Sequence, residues 1–277
     1  MSNDPQFAVW NGNTGAAWVA SQDLVDRTLR PLQDLLVEPF QPTEAPLRVL
    51  DVGCGTGGTT VALARALGPT ATITGVDVSS LMVEAARARA ASDHLPISFT
   101  EGDAASHPFP PASFDLIVSR FGVMFFADPT AAFAHLRAAA RPGAALRMLS
   151  WRGPEENPFM TTVERAAAPL LPDLPVRVAD EPGQFGLAGE QRVRTILADA
   201  GWTDVTLQPV DPTCALPAAE LPRYATGMGP VGALLPTLDE PLRRRVAEVA
   251  VDALATHVDG DELRFTAACW LIEAVAP

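Results

Sequence analysis

Lysine is missing: all 20 basic residues of the 277 are arginine. No side chain can form a Schiff base, anchor pyridoxal phosphate or serve as the lysine of a Walker-type phosphate loop. Tyrosine occurs once, at Tyr224, so the Tyr-x-x-x-Lys pair of the commonest short-chain dehydrogenase site is excluded. Cys54, Cys214 and Cys269 are the only cysteines. They are odd in number and far apart, which gives neither a disulfide framework nor a metal-ligand spacing. The four histidines are equally scattered, and no metal site is expected. No apolar run reaches the roughly 18 residues that span a bilayer. The opening "MSNDPQFAVW" lacks the basic-then-apolar pattern of a signal peptide. These absences predict a soluble protein of a reducing compartment, read as cytoplasmic. Monomer and homodimer both remain open.

Acid is in excess. The net charge of −13 repels phosphate backbones and anionic lipid, so nucleic acid is not an expected partner. With 48% hydrophobic residues the chain can bury a substantial core.

Between residues 47 and 151 strand-like and helix-like stretches alternate. "LRVLDV" (47–52), "ATITGVDV" (71–78), "ISFTEGD" (97–103), "SFDLIVSR" (113–120) and "AALRMLSW" (144–151) have buried-strand character. Helical spacing covers 59–67, 79–92 and 130–140, the last ended by Arg141-Pro142-Gly143. Such alternation implies right-handed crossovers and a parallel α/β sheet covered on both faces. Ligands of these sheets sit beyond the carboxyl ends of the strands. A long amphipathic pattern over 16–36 is expected to bend near Pro31. Residues 152–188 and 211–262 read as insertions, the second with a helix near 241–257. A helix over 190–201, a strand over 203–210 and a final strand over 264–276 complete the pattern. The insertions and the N-terminal segment together are positioned to roof the ligand edge.

The stretch "RVLDVGCGTGGTT" (48–60) runs a strand into a glycine turn. Gly53, Gly55 and Gly58 satisfy G-x-G-x-x-G, a weak pattern by itself. Asp51, two positions earlier, decides between ligands. A diphosphate beside a carboxylate meets repulsion of roughly 1–4 kcal/mol at about 4 Å. A ligand that presents a cation meets attraction. S-adenosylmethionine carries an ammonium, a sulfonium and no phosphate, so it fits where NAD does not. The plain alternative is that Asp51 braces the turn. Asp77, at the second strand's end, can accept ribose hydroxyls, a role common to both cofactors. Asp103 can accept the adenine amino group while the Ala104 N–H donates to the ring; otherwise Asp103 is a turn residue. Met82 lies either over the adenine or in the core.

Together "VLDVGCGTG", "GVDVS", "EGDA" and "FDLIVSRFGVMFF" resemble class I S-adenosylmethionine-dependent methyltransferases. The likeness is greatest to the branch typified by ubiquinone/menaquinone-biosynthesis C-methyltransferases (methyltransferase type 11). The resemblance implies a Rossmann-like seven-stranded mostly parallel sheet, last strand antiparallel, with helices on both faces. It implies one domain over 1–277: an N-terminal helical lid (1–40), a cofactor-binding core (41–151) and substrate-side insertions (152–188 and 211–262). It assigns Asp51, Gly53, Gly55 and Gly57 to the methionine-binding loop, with Cys54 a small filler within it. It gives Asp77 and Val78 to the ribose, Asp103 and Ala104 to the adenine, and Ser119 and Arg120 to the flank of the methionyl group.

Methyl transfer from a sulfonium is an in-line displacement with a good leaving group, S-adenosyl-L-homocysteine. The protein mainly positions and desolvates the nucleophile, and a base is not always needed. Phe121, Met124, Phe125 and Phe126 follow the fourth strand and offer an apolar wall, or fill the core below it. Trp10 and Trp18, in "WNGNTGAAW" (10–18), resemble a lid; equally they staple the first helix to the sheet. His107 is the best-placed candidate base, although loop histidines are usually solvated. Tyr224 and His257 lie in the second insertion. The expected partner is a small apolar or aromatic methyl acceptor, as in secondary metabolism, with O, N or C undetermined. A nicotinamide-dependent oxidoreductase and a non-catalytic methyltransferase-like binding module stand as alternatives.

Overall fold

The computed structural model describes residues 4–42, 44–174, 177 and 180–277. Residues 1–3 of the expected lid and positions 175, 176, 178 and 179 of the first expected insertion lie outside them. Four short helices come first: α1 (Asp4–Trp10), α2 (Asn13–Ala20), α3 (Gln22–Thr28) and α4 (Arg30–Val37). The expectation of one bend near Pro31 is corrected here. The chain breaks at Asn11-Gly12, at Ser21 and at Leu29, and Pro31 sits in the first turn of α4, where its missing N–H costs nothing.

The alternating core follows. It comprises β1 (Leu47–Val52), α5 (Gly58–Leu67), β2 (Ala71–Asp77), α6 (Ser80–Ser92), β3 (Ile97–Glu101), β4 (Phe114–Arg120), α7 (Pro129–Ala139) and β5 (Ala140–Trp151). Caps mark the helix starts. Ser79 accepts from the Met82 N–H ahead of α6, and Asp128 from the Ala131 N–H ahead of α7. β5 begins four residues earlier than the sequence pattern predicts. Gly143, at φ +80°, carries the strand through a register shift opposite Phe114 and Leu116.

Beyond β5 come α8 (Pro158–Ala167), α9 (Glu190–Asp199), β6 (Thr203–Val210), β7 (Thr213–Pro217), α10 (Leu221–Gly227), α11 (Gly229–Leu234), α12 (Glu240–Ala255), β8 (Val258–Asp259), β9 (Glu262–Thr266) and β10 (Cys269–Val275). The single final strand read over 264–276 is in fact two. β9 joins a small sheet in the order β7-β9-β8, and β10 enters the main one. The switch falls at Ala267-Ala268. There the fully buried Asn157 accepts from the Ala268 N–H and donates to its carbonyl, each at 2.9 Å.

The main sheet has the order β3-β2-β1-β4-β5-β10-β6. Its first five strands are mutually parallel, and β10 is antiparallel to both β5 and β6. Alternate residues of the strands face opposite layers. Leu50 and Val52 of β1 enter the large core that includes Leu24, Leu32 and Leu36 of α3 and α4. Val49 packs with Leu63 and Leu67 of α5. Both faces are thus covered, as parallel sheets require. The strand order reverses between β1 and β4, and the crevice above that point is where such sheets bind ligands. The N-terminal helices and the second insertion touch: Arg223 donates to the Ala20 carbonyl, and Arg27 lies 3.5 Å from Glu220.

Candidate functional site

The turn after β1 is built for close backbone approach. Gly53, Gly55 and Gly57 all have positive φ, of 65°, 55° and 81°, and Gly57 caps α5 in the left-handed region. Gly53 meets Gly122, just beyond β4: a Cβ on Gly53 would lie 2.5 Å from the Gly122 Cα. Gly122 lies within the stretch "FDLIVSRFGVMFF", yet the sequence alone gives it no role. Ser119, fully buried, fastens the two strand ends. Its hydroxyl donates to the Val52 carbonyl (2.7 Å) and accepts from the Gly122 N–H (3.1 Å). Ser119 therefore acts on the site through the backbone it fixes.

Asp51 is 1% exposed. One oxygen accepts from the Thr60 hydroxyl at 2.6 Å, and Oδ1 is buried with no partner. Burial pushes its pKa up to about 6, against the lowering influence of Thr60 and Arg120. Arg120, at the end of β4, has a buried Nη1 that also lacks a partner. Its own pKa is lowered by burial, opposed by the charges of Asp26 and Asp51. A buried polar atom left unpaired costs about 1–3 kcal/mol. Two of opposite sign, near enough for their charges to couple, suit a ligand that brings an ammonium and a carboxylate together. The α-amino acid end of S-adenosylmethionine is such a group; a diphosphate is not.

Asp77, 9% exposed, ends β2. Its oxygens accept from the Gly55 N–H (2.8 Å) and the Ser79 N–H (2.9 Å). Burial raises its pKa while these N–H groups lower it. The Val78 N–H lowers it as well, and the four lone-pair positions of the carboxylate leave at least one for a hydroxyl. Asp103, after β3, accepts from the Ala105 N–H at 3.0 Å, beside the buried Ala104. Met82 is buried, and its sulfur lies 3.9 Å from where a Cβ on Gly55 would stand. Cys54 is buried, its thiol pKa raised by burial and by Asp77 and Asp51, which disfavours the reactive thiolate.

The N-terminal segment lies over this edge. Asn11 donates to the Val78 carbonyl and accepts from both the N–H and the hydroxyl of Ser80, each at 3.0 Å. It thereby satisfies a donor that the start of α6 cannot use internally. Ser79 donates to the Trp10 carbonyl at 2.7 Å. Trp10 meets Trp18 edge-on at 6.1 Å and Phe125 at 5.1 Å. Phe121 holds φ +70°, uncommon for a bulky residue, and stacks flat on Trp151 at 4.3 Å. Further rings continue from Trp151 to Phe159 of α8 and Phe265 of β9.

Some candidates are placed elsewhere. Met124 is 2% exposed and Phe126 is buried, both in the main core. The chain turns there through a single 3-10 turn at Gly122–Phe125, which directs Met124 inward, so it is not part of an open wall. The His107 ring packs on Phe109 at 4.8 Å. Its carbonyl accepts from His135 Nε2 at 2.7 Å, a packing arrangement for both histidines. Tyr224 belongs to α10 and stacks at 6.2 Å on Phe265. Among the described residues no group of His, Cys, Asp and Glu is arranged to hold a metal, and no helix is long and apolar enough to cross a membrane.

Residues 49–143 match a family model described as a methyltransferase domain. Those residues are similar to that methyltransferase-domain family. A demethylmenaquinone methyltransferase of Deinococcus radiodurans is 34% identical over 141 residues, covering 51% of this chain and 58% of that protein. One from Staphylococcus aureus is 28% identical over 169 residues, covering 58% and 70%. The match thus spans little more than half the length of the Deinococcus relative. Phosphoethanolamine N-methyltransferase 2 of Haemonchus contortus, solved with S-adenosyl-L-methionine, shares the fold: TM-score 0.61 at 16% identity, over 100% of this chain and 60% of that one. By sequence the chain is thus similar to demethylmenaquinone methyltransferases. None of these relatives speaks for a nicotinamide-dependent oxidoreductase.

Proposed function

We propose that this protein transfers a methyl group from S-adenosylmethionine to a small apolar or aromatic metabolite. The observation that carries the reading is the pair of buried, unpartnered atoms beside the glycine turn, Oδ1 of Asp51 and Nη1 of Arg120. Asp51 takes the ammonium of the cofactor and Arg120 its carboxylate. The missing side chains of Gly53, Gly55 and Gly57 admit the methionyl chain. Asp77 holds the ribose with its remaining lone-pair capacity, and Val78 lines that side. Asp103 and the Ala104 N–H meet the adenine edge, and Met82 covers its face.

When bound, the cofactor supplies a sulfonium methyl open to in-line attack. The chain's part is to hold, orient and exclude water. Trp10, Trp18, Phe121 and Phe125 close the acceptor side, and aromatic faces favour a cation held near them. Residues 1–40 act as the lid and 41–151 as the cofactor-binding core, with 152–188 and 211–262 enclosing the acceptor. No base is assigned, so an acceptor that loses its proton readily suits the site. The half-buried rings of Trp10, Trp18, Phe121 and Phe125 favour a flat, conjugated acceptor over a polar one.

Incubation with methyl-labelled cofactor and a panel of phenolic, quinol and amine acceptors tests the reading. Label is expected in an apolar aromatic product, with micromolar binding of S-adenosylhomocysteine by calorimetry. Binding of NADH without any response to S-adenosylhomocysteine would contradict it. Tight binding with no labelled product from any acceptor would favour a non-catalytic module.

A further inference from the structure

One acidic residue outside the glycine turn reaches the same crevice. Asp26, on α3 of the N-terminal segment, is three-quarters buried. It accepts from Arg89 of α6 at 2.6 Å and lies 3.8 Å from Arg120 of β4. Gln22, one turn earlier on α3, accepts from the same Arg89 at 3.3 Å. Asp26 also presses on the start of α5: a Cβ on Gly58 would fall 2.7 Å from its Oδ1. The two guanidinium groups repel one another, and Asp26 is the carboxylate that touches both. Its contact with Arg120 runs through Nη2, which leaves the buried Nη1 without a partner.

Resting on the cofactor assignment above, we propose that Asp26 is a positioning residue: it aims Arg120 at the cofactor carboxylate and so ties closure of the N-terminal segment to recognition of the amino-acid end. Charge counting supports this. Asp26 and Asp51 balance Arg89 and Arg120, Asp77 leaves one negative charge in excess, and a zwitterion added between Asp51 and Arg120 leaves that balance unchanged. Without Asp26 the two arginines separate, and Arg120 loses the partner that fixes its fork. The segment carrying Asp26 is independently fastened beside Asp77 by Asn11 and Trp10, which bond Val78, Ser79 and Ser80. The segment thus borders both the amino-acid end and the ribose of the proposed ligand.

The test compares two ligands on the full chain. S-adenosylhomocysteine has the amino-acid end; 5′-methylthioadenosine shares the adenosine and sulfur and lacks it. Asp26→Asn is expected to weaken S-adenosylhomocysteine about tenfold while leaving 5′-methylthioadenosine within about twofold. Asp26→Glu, which keeps the charge, should restore most of the loss. Arg120→Gln should show the same selective loss, and adding Asp26→Asn to it should cost little more, because the two act as one unit. Equal weakening of both ligands would reduce Asp26 to a structural prop and overturn the proposal. Unchanged or tighter S-adenosylhomocysteine binding would overturn it too, the latter by making Asp26 a competitor of the carboxylate. A selective loss missing from Arg120→Gln would do the same even where Asp26→Asn does not fold. A wild-type protein that ignores S-adenosylhomocysteine altogether fails the methyltransferase reading itself, a result visible before any variant is made.

Discussion

Asp51 is the residue at which stability and proposed function pull in opposite directions. Its carboxyl sits in the core with one oxygen unpaired, and its pKa is raised to about 6 by burial. A raised pKa means that the folded state holds the proton more tightly than the unfolded one. The stability this confers is present at the low end and is lost as pH climbs from about 4 to about 6. The loss amounts to up to about 3 kcal/mol. Asp77 and Arg120, the charged groups facing Asp51, shift the same titration in opposite directions. Asp51→Asn should therefore be more stable than wild type at pH 7 and lose that advantage by pH 4, read by denaturant unfolding at both pH values. Its affinity for S-adenosylhomocysteine should fall, because the ammonium loses its partner. In the wild type the same affinity should rise with pH through the 4–6 window. Asp77→Ala should cost about 1–3 kcal/mol of affinity by calorimetry, through loss of a charged acceptor. Unchanged affinity would remove Asp77 from the ribose. These carboxylates stood out in the sequence because each ends a strand beside a motif. Thr60, Gly122 and Asp26 did not, because their partners lie at positions 51, 53 and 89 or 120 and no local pattern records such pairings.

At the scale of elements, strands with a turn residue at each end were legible. β1 (Leu47–Val52) and β6 (Thr203–Val210) have the bounds the sequence suggests. The division of 264–276 into β9 and β10 was hidden, because no glycine, proline or other turn residue interrupts the run. What splits it is Asn157, more than a hundred residues away, pairing with Ala268. The N-terminal pattern showed amphipathicity and not its breaks at Asn11-Gly12 and Ser21, which are set by what the segment docks onto. Asn11 fastens α1 and α2 to the start of α6 with three hydrogen bonds. Asn11→Ala should free that end of the segment. Limited proteolysis should then cut between residues 10 and 22 while the sheet stays folded by circular dichroism, with S-adenosylhomocysteine bound about three- to tenfold more weakly. Proteolysis no faster than in wild type would mean that the aromatic contacts of Trp10 hold the segment unaided.

Taken whole, the molecule sets the buried Asp51, with Arg120, at the switch between β1 and β4, and the buried rings of Trp151, Phe159 and Phe265 run on from β5. The N-terminal helices and the second insertion meet over that edge. The five strands of residues 47–151 and the resemblance were readable where strands and helices alternate with short turns; the seven-stranded sheet followed only from the resemblance, and its reversal point is a finding of the structure. The roof was not, because its helices are set by contacts between segments two hundred residues apart, such as Arg223 with Ala20. The central claim is that an amino-acid zwitterion joins Asp51 to Arg120. A crystal structure of the protein with S-adenosylhomocysteine tests it most directly. The ammonium should lie within hydrogen-bond reach of Asp51 Oδ1 and the carboxylate within reach of Arg120 Nη1. An amino-acid end lodged elsewhere, with both atoms still unpaired, or a diphosphate preferred at the glycine turn, would contradict the account.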